Sequence, residues 1–191
     1  MKKYELTEET VTVYGKTLYR IRAVRDFGSV KTGEFGGYIE KEENLSHFGN
    51  AWIYGDAWVY GDARVSENAW VYGNAKVFGD ARVFDNAWVY GNAKVYGDAR
   101  VSGNARVYGN AEVFNTRHFF VQGPIGSRDG YVTFYRTKDD TIGVRCGCFS
   151  GSLQKFVDRV EETHGGSRYE KEYKIAAELA KVCIRLEGES R

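Results

Sequence analysis

Residues able to hold an anion cluster near Gly123-Pro124-Ile125-Gly126-Ser127-Arg128-Asp129-Gly130. Small residues in succession can turn their N–H groups toward one point, and an arginine beside them completes a pocket for phosphate or carboxylate. Arg136, Lys138 and Arg145 fall on the flanking segments. Cys148-Phe149-Ser150-Gly151-Ser152 adds hydroxyls and N–H groups where a helix begins, a second place that favours anions. The candidate ligand-binding set is therefore Gly126, Ser127, Arg128, Arg136, Arg145, Phe149 and Ser150, with Tyr135 or Phe149 free to stack on an attached ring. Neither a Walker loop nor a dinucleotide fingerprint is present, so the ligand class is anionic and no more specific.

Other chemistry is sparse. Three cysteines, Cys146, Cys148 and Cys183, read as free thiols of a reducing compartment. Cys146-x-Cys148 lacks the second pair that a zinc site needs, so no metal and no cofactor is expected. The net charge of +1 is not the basic footprint of a duplex-binding protein. The start of the chain lacks the apolar core of a signal peptide and no run reaches membrane-spanning length, so a cytoplasmic protein with no membrane partner is expected.

The element that must position these groups is a repeat. Ile53 and the valines from Val59 to Val113 recur every six residues, each with an alanine two positions earlier, Ala51 to Ala111. Residues two apart share a face of a strand, so each Ala-x-Val turns both apolar groups inward. Gly-Asn or Gly-Asp pairs between units supply the corners. The outward residue before each valine has a longer period: Trp52, Trp70 and Trp88 alternate with Arg64, Arg82 and Arg100. Three six-residue sides make an eighteen-residue triangular coil, a parallel β-helix of roughly four coils about 20 Å tall. Asp62, Asp80 and Asp98, two residues before the ladder arginines, are expected to compensate their charge.

These hexads resemble the left-handed β-helix of the hexapeptide-repeat proteins. Arg20-Ile21-Arg22-Ala23, Gly36-Gly37-Tyr38-Ile39-Glu40 and the tandem hexads together resemble a poorly characterised group of bacterial and phage proteins. The resemblance implies a left-handed coil and a homotrimer. The fold class is mainly β in three parts. Residues 1–46 form a hairpin and cap, with Ile39 and Leu45 in the register of the later alanines and a Gly15-Lys16 turn. Residues 47–116 form the coil. Residues 117–191 form a small α+β domain of three strands and two helices, the second capped by Ser167-x-x-Glu170 and running to about Leu186.

Three function classes follow. Hexapeptide-repeat proteins are often acyltransferases with a histidine base in or beside the coils, but no histidine lies between His47 and His118 and no loop interrupts the hexads. The reading preferred is a non-catalytic oligomeric scaffold that binds a small anionic, nucleotide-like ligand. The phage resemblance makes a sponge for an immune nucleotide signal one version of it. A purely structural assembly module is the third.

Overall fold

The computed structural model describes residues 2–187. Eleven two-residue strands, from Trp52–Ile53 to Glu112–Val113, form the three sides of a parallel β-solenoid of about four turns. Each Ala and Val of the repeat is fully buried, while the residue between them faces out. Rungs are joined by in-register bonds such as Trp52 N–H to Ala69 O (3.0 Å) and Tyr54 N–H to Val71 O (2.8 Å). The period of two therefore sets inside and outside, and the period of eighteen sets what stacks on what.

The corners need a left-handed backbone. Gly49 has φ +68°, and a Cβ there would lie 2.4 Å from Glu67 O. Glu67 and Asp85 replace glycine yet keep φ of 60° and 58°. Their carboxylates are used on the corner itself. Glu67 Oε2 accepts from Asp85 N–H (3.2 Å) and Asp85 Oδ2 from Gly103 N–H (2.8 Å).

The N-terminal segment is larger than expected. Its hairpin joins β1 (Tyr4–Val13) to β2 (Lys16–Ala23), and the turn is Tyr14-Gly15, both at positive φ, not Gly15-Lys16. β3 (Phe35–Ile39) pairs with β2 and runs parallel to Trp58–Val59, forming the first rung of one side. Ile39 lies opposite Val59 and Leu45 opposite Val65, so both occupy valine positions and not the alanine positions that the spacing suggested. Two extra residues in the corner between Leu45 and Ile53 account for the slip. Over this end, Tyr4, Phe27 and His47 close around Trp52, which is fully buried. Lys3 is buried too, its Nζ donating to Ala51 O (2.7 Å) and lying 4.9 Å from the Phe27 ring. Burial lowers its pKa to about 8.

Beyond the coil a four-stranded antiparallel sheet runs in sequence order: Phe119–Ile125, Gly130–Arg136, Ile142–Cys146 and Phe149–Ser152. The fourth strand corrects the expectation of three. Ser-Gly-Ser was read only as a helix start, whereas Ser152 both ends this strand and caps α1 (Leu153–His164) by accepting from Lys155 N–H. Ser167 caps α2 (Arg168–Cys183) in the same way, and α2 stops at Cys183, before Leu186. One sheet face, with Val132, Phe134 and Val144, packs on Phe156, Val160 and Ala176 of the helices. The other, with Phe119, Val121 and Tyr135, packs on the solenoid. Docking bonds include Arg106 N–H to Thr133 Oγ1 (3.0 Å) and Lys138 N–H to Asn110 O (3.0 Å). The C-terminal sheet thus covers part of one aromatic ladder, leaving Tyr90 buried. The N-terminal hairpin covers part of the other, where Val13, Leu18 and Tyr38 pack with Tyr60. No helix among the described residues is long and apolar enough to cross a membrane.

Candidate functional site

The loop after Ile125 is built around Gly126. Its φ is +76° and a Cβ would meet Tyr173 Oη at 1.9 Å, so only glycine fits against α2. Its N–H donates to Glu172 Oε2 at 2.7 Å. A carboxylate of the chain itself therefore takes the donor that the sequence offers to a ligand. Ser127, Arg128 and Asp129 remain exposed on the same loop.

The other candidate residues are not brought to this loop. Arg136 ends the strand that Gly130 begins, roughly 20 Å away at strand rise. It is buried, with Nε on Asp140 (2.7 Å), Nη2 on Glu187 (2.9 Å) and its plane 5.0 Å from the Phe114 ring. Arg145 pairs with Thr133 and Ser150, on the sheet face turned to the solenoid. Its guanidinium lies 5.4 Å from the Tyr108 ring and donates to Cys148 O and Phe149 O, both at 3.4 Å. Phe149 lies on the opposite face against Phe156 (5.5 Å), and Tyr135 is buried at the solenoid joint. Tyr135 is not free to stack on a ligand, whereas half-buried Phe149 lines, with Ser150, Cys148 and His164, a separate cleft of about 570 Å³. Ser150 stays exposed.

What Ser127 and Arg128 do border is a cleft of about 830 Å³ between the C-terminal domain and one side of the coil. The solenoid wall carries Trp88, Arg106 and the corner amides Asn68, Asn86 and Asn104. The far wall carries Tyr131, Cys148, His164 and Tyr173. Arg106 lies 4.8 Å from the Trp88 ring. Among the described residues neither Arg106 nor Arg128 has a carboxylate within ion-pair distance. Trp88 and Tyr131 are 37% and 43% exposed, so two aromatic rings and two unpaired guanidiniums share one opening. Burial raises the Tyr173 phenol to about 12 and pushes the Cys146 thiol up, leaving both protonated at neutral pH. All three cysteines are free. Sequence reasoning missed Trp88, Arg106 and Tyr131 as site residues. One signal was available: the Trp52-Trp70-Trp88 ladder changes to Arg106 on its last rung.

A second cleft, of about 520 Å³, runs along the third side of the coil past Arg64, Arg82 and Arg100. Among the described residues the expected acids make no direct ion pair with these arginines, although the Lys41 hydrogen bond and, to a smaller extent, the Arg64 charge lower the Asp62 pKa. Asp62 accepts from Lys41 Nζ (2.7 Å), Glu67 and Asp85 serve the corner, and Asp80 and Asp98 make no ion pair among the described residues.

His118 closes the end of the coil. It is buried edge-on to Phe114, with Nδ1 near Phe114 N–H (3.3 Å) and Nε2 near Asn115 Nδ2 (2.9 Å). Burial, then the Arg136 charge, lower its pKa to about 4. It is a neutral packing residue at physiological pH. Among the described residues, no three His, Cys, Asp or Glu side chains converge as a metal site would require.

A family model described as the YdcK beta solenoid repeat matches residues 57–73, 93–109 and 99–113. All three segments lie within the coil, so the match bears on the repeat and leaves both ends of the chain unassigned. No curated protein matches the chain.

Proposed function

We propose that this protein is a non-catalytic scaffold whose cleft between the coil and the C-terminal domain holds a small anionic ligand with a planar ring, of nucleotide-like chemistry. One observation carries the reading: the guanidiniums of Arg106 and Arg128, neither with a carboxylate partner among the described residues, border the same opening as the part-exposed rings of Trp88 and Tyr131. Charge-assisted hydrogen bonds from two arginines suit a phosphate or carboxylate, and the rings offer a surface for a base. Asn86 and Asn104 add amide donors and acceptors at the edge. Sequestering a nucleotide signal, as the phage resemblance implies, is the biological form this reading takes.

Self-association belongs to the same proposal. The aromatic sides of the coil are partly covered by the chain's own ends. An exposed apolar stripe also lies on α2, where Ile175, Leu179 and Val182 are 68%, 43% and 82% exposed. That stripe faces away from Ala176, Ala177 and Ala180, which pack inward. We propose it as the oligomer contact, whether in a left-handed-helix trimer of the hexapeptide-repeat kind or in a smaller assembly. Light scattering at micromolar concentration should give a multiple of 21.6 kDa, and a monomeric mass would overturn this part.

A thermal-shift screen of nucleotides, followed by calorimetry with the best of them, tests the cleft. Arg128→Ala and Arg106→Ala should each weaken binding by roughly tenfold to a hundredfold, since a charged hydrogen bond is worth about 1.5–3 kcal/mol. Trp88→Ala should weaken it too, and Arg136→Ala should act on stability, not on a direct contact. Tight binding that ignores both Arg106 and Arg128 would remove the ligand from this cleft, and turnover of the ligand would make the protein an enzyme.

A further inference from the structure

In-register parallel pairing stacks each outward residue on its equivalent one coil away, often like on like, and over most of the coil the result is attractive. Tyr72 stacks on Tyr90 at 4.7 Å and Phe78 on Tyr96 at 4.9 Å. Where lysines meet, each has a partner: Lys76 lies 4.1 Å from the Trp58 ring and Lys94 binds Glu112 at 2.8 Å. The third side breaks this pattern. Arg64 pairs in register with Arg82, and Arg82 with Arg100. Strands two residues long leave no room to stagger, so three exposed guanidiniums rise from positions about 4.8 Å apart along a line about 10 Å long. Among the described residues none of them has a hydrogen-bonded or ion-paired carboxylate. Of the acidic groups around them, Asp62 is bonded to Lys41 and Glu67 and Asp85 accept from corner N–H groups, while Glu43 borders only the Arg64 end.

We propose that this side is a second binding site, a track for a short linear phosphate chain whose successive anionic oxygens are taken by Arg64, Arg82 and Arg100. Guanidinium forks match phosphate oxygens in pairs, and a linear polyanion spanning the rungs removes the repulsion among all three at once. Glu43 and Glu67 border the Arg64 end, so the chain is centred on Arg82. Beside the track stand Ser66, Phe84 and Ser102, one ring among three rungs. A single-stranded nucleic acid needs a stacking platform at each step, so the surroundings favour the phosphate chain over the polynucleotide. The same phosphate chemistry could come from free polyphosphate or from the tail of a nucleoside triphosphate, whose base Phe84 would receive.

Calorimetry on the full chain decides it, with tripolyphosphate as probe and orthophosphate, adenosine triphosphate and an oligothymidylate as comparisons. Tripolyphosphate should bind saturably and about tenfold or more tighter than orthophosphate, by contacting several arginines at once. Arg82→Ala should weaken it about tenfold or more, Arg82→Lys less, because lysine keeps the charge and loses the fork. The titrations are run on the Arg106→Ala/Arg128→Ala double variant, which lacks both guanidiniums of the cleft; binding that persists there and is lost on adding Arg82→Ala separates this site from the cleft. Adenosine triphosphate binding more tightly than tripolyphosphate, with the excess lost in Phe84→Ala, assigns a nucleotide tail; equal affinity assigns the phosphate chain alone. Both arginine variants are exposed replacements, and unchanged circular dichroism verifies their fold. No saturable binding of tripolyphosphate, equal affinity for orthophosphate, indifference to both Arg82→Ala and Arg100→Ala, or tighter binding of the oligothymidylate would each overturn the proposal.

Discussion

The solenoid and the C-terminal domain bury apolar side chains of very different size. Inside the coil the layers are Ala and Val, with Ile39, Leu45 and Ile53 at the valine positions of the first rung, and all are buried. In the C-terminal domain the core is Phe134, Phe156 and Ile184 with three alanines of α2 filling between them. The coil repeats many small contacts between near neighbours, whereas the domain depends on a few large side chains from distant positions. The first arrangement spreads the consequence of any one change; the second concentrates it.

Urea melts of two variants expose this difference most strongly. Phe134→Ala removes a fully buried ring that meets both Phe120 and Phe156, and should cost about 3–5 kcal/mol. Ala75→Leu inserts three heavy atoms into a filled layer of the coil and should cost about 1–3 kcal/mol. Equal or reversed losses would mean that the coil, not the domain, holds the less forgiving core.

The joint between the two regions gives a smaller effect that depends on pH. Folded His118 has its pKa lowered to about 4, against about 6.5 for an unfolded histidine. Between those values the unfolded chain takes up a proton that the folded chain refuses. Stability should therefore be level above about pH 6.5 and fall as pH drops toward 4, with His118 contributing about 1–3 kcal/mol over the window. Replacing His118 by Phe should flatten that part of a melting-temperature profile. A slope identical in both proteins would assign the pH dependence to carboxylates elsewhere.

How far the sequence could be read follows from the same contrast. The inward Ala and Val, the outward ladders and the eighteen-residue period are local patterns, and a β-solenoid with a cap and a small α+β domain is what the structure contains. The slip of Ile39 and Leu45 into valine positions was hidden because two extra corner residues look no different from another turn. In the C-terminal domain, alternation named the strands but not their neighbours. Nothing near Gly126 announces Glu172, forty-six residues on, as the acceptor of its N–H. Arg136 and Arg145 looked like partners of Arg128 because they are close in sequence, yet strand length and face send one to the far end of the sheet and the other toward Tyr108. The cleft itself joins Arg106 to Arg128 across a tertiary contact that no spacing encodes.

The corner bonds have a further consequence for length. Each coil is hydrogen-bonded to the coil above and the coil below, and the N-terminal hairpin and C-terminal sheet each also pack over the sides of the rungs nearest their own end. A chain carrying one additional eighteen-residue unit, copied from residues 66–83, would extend the prism by about 4.8 Å while leaving the first and last rungs with their own caps. It would also carry one more arginine on the third side. In such a molecule the number of charges presented in a row is a count of coils, and the gene sets it by copying, as marks are added to a ruler.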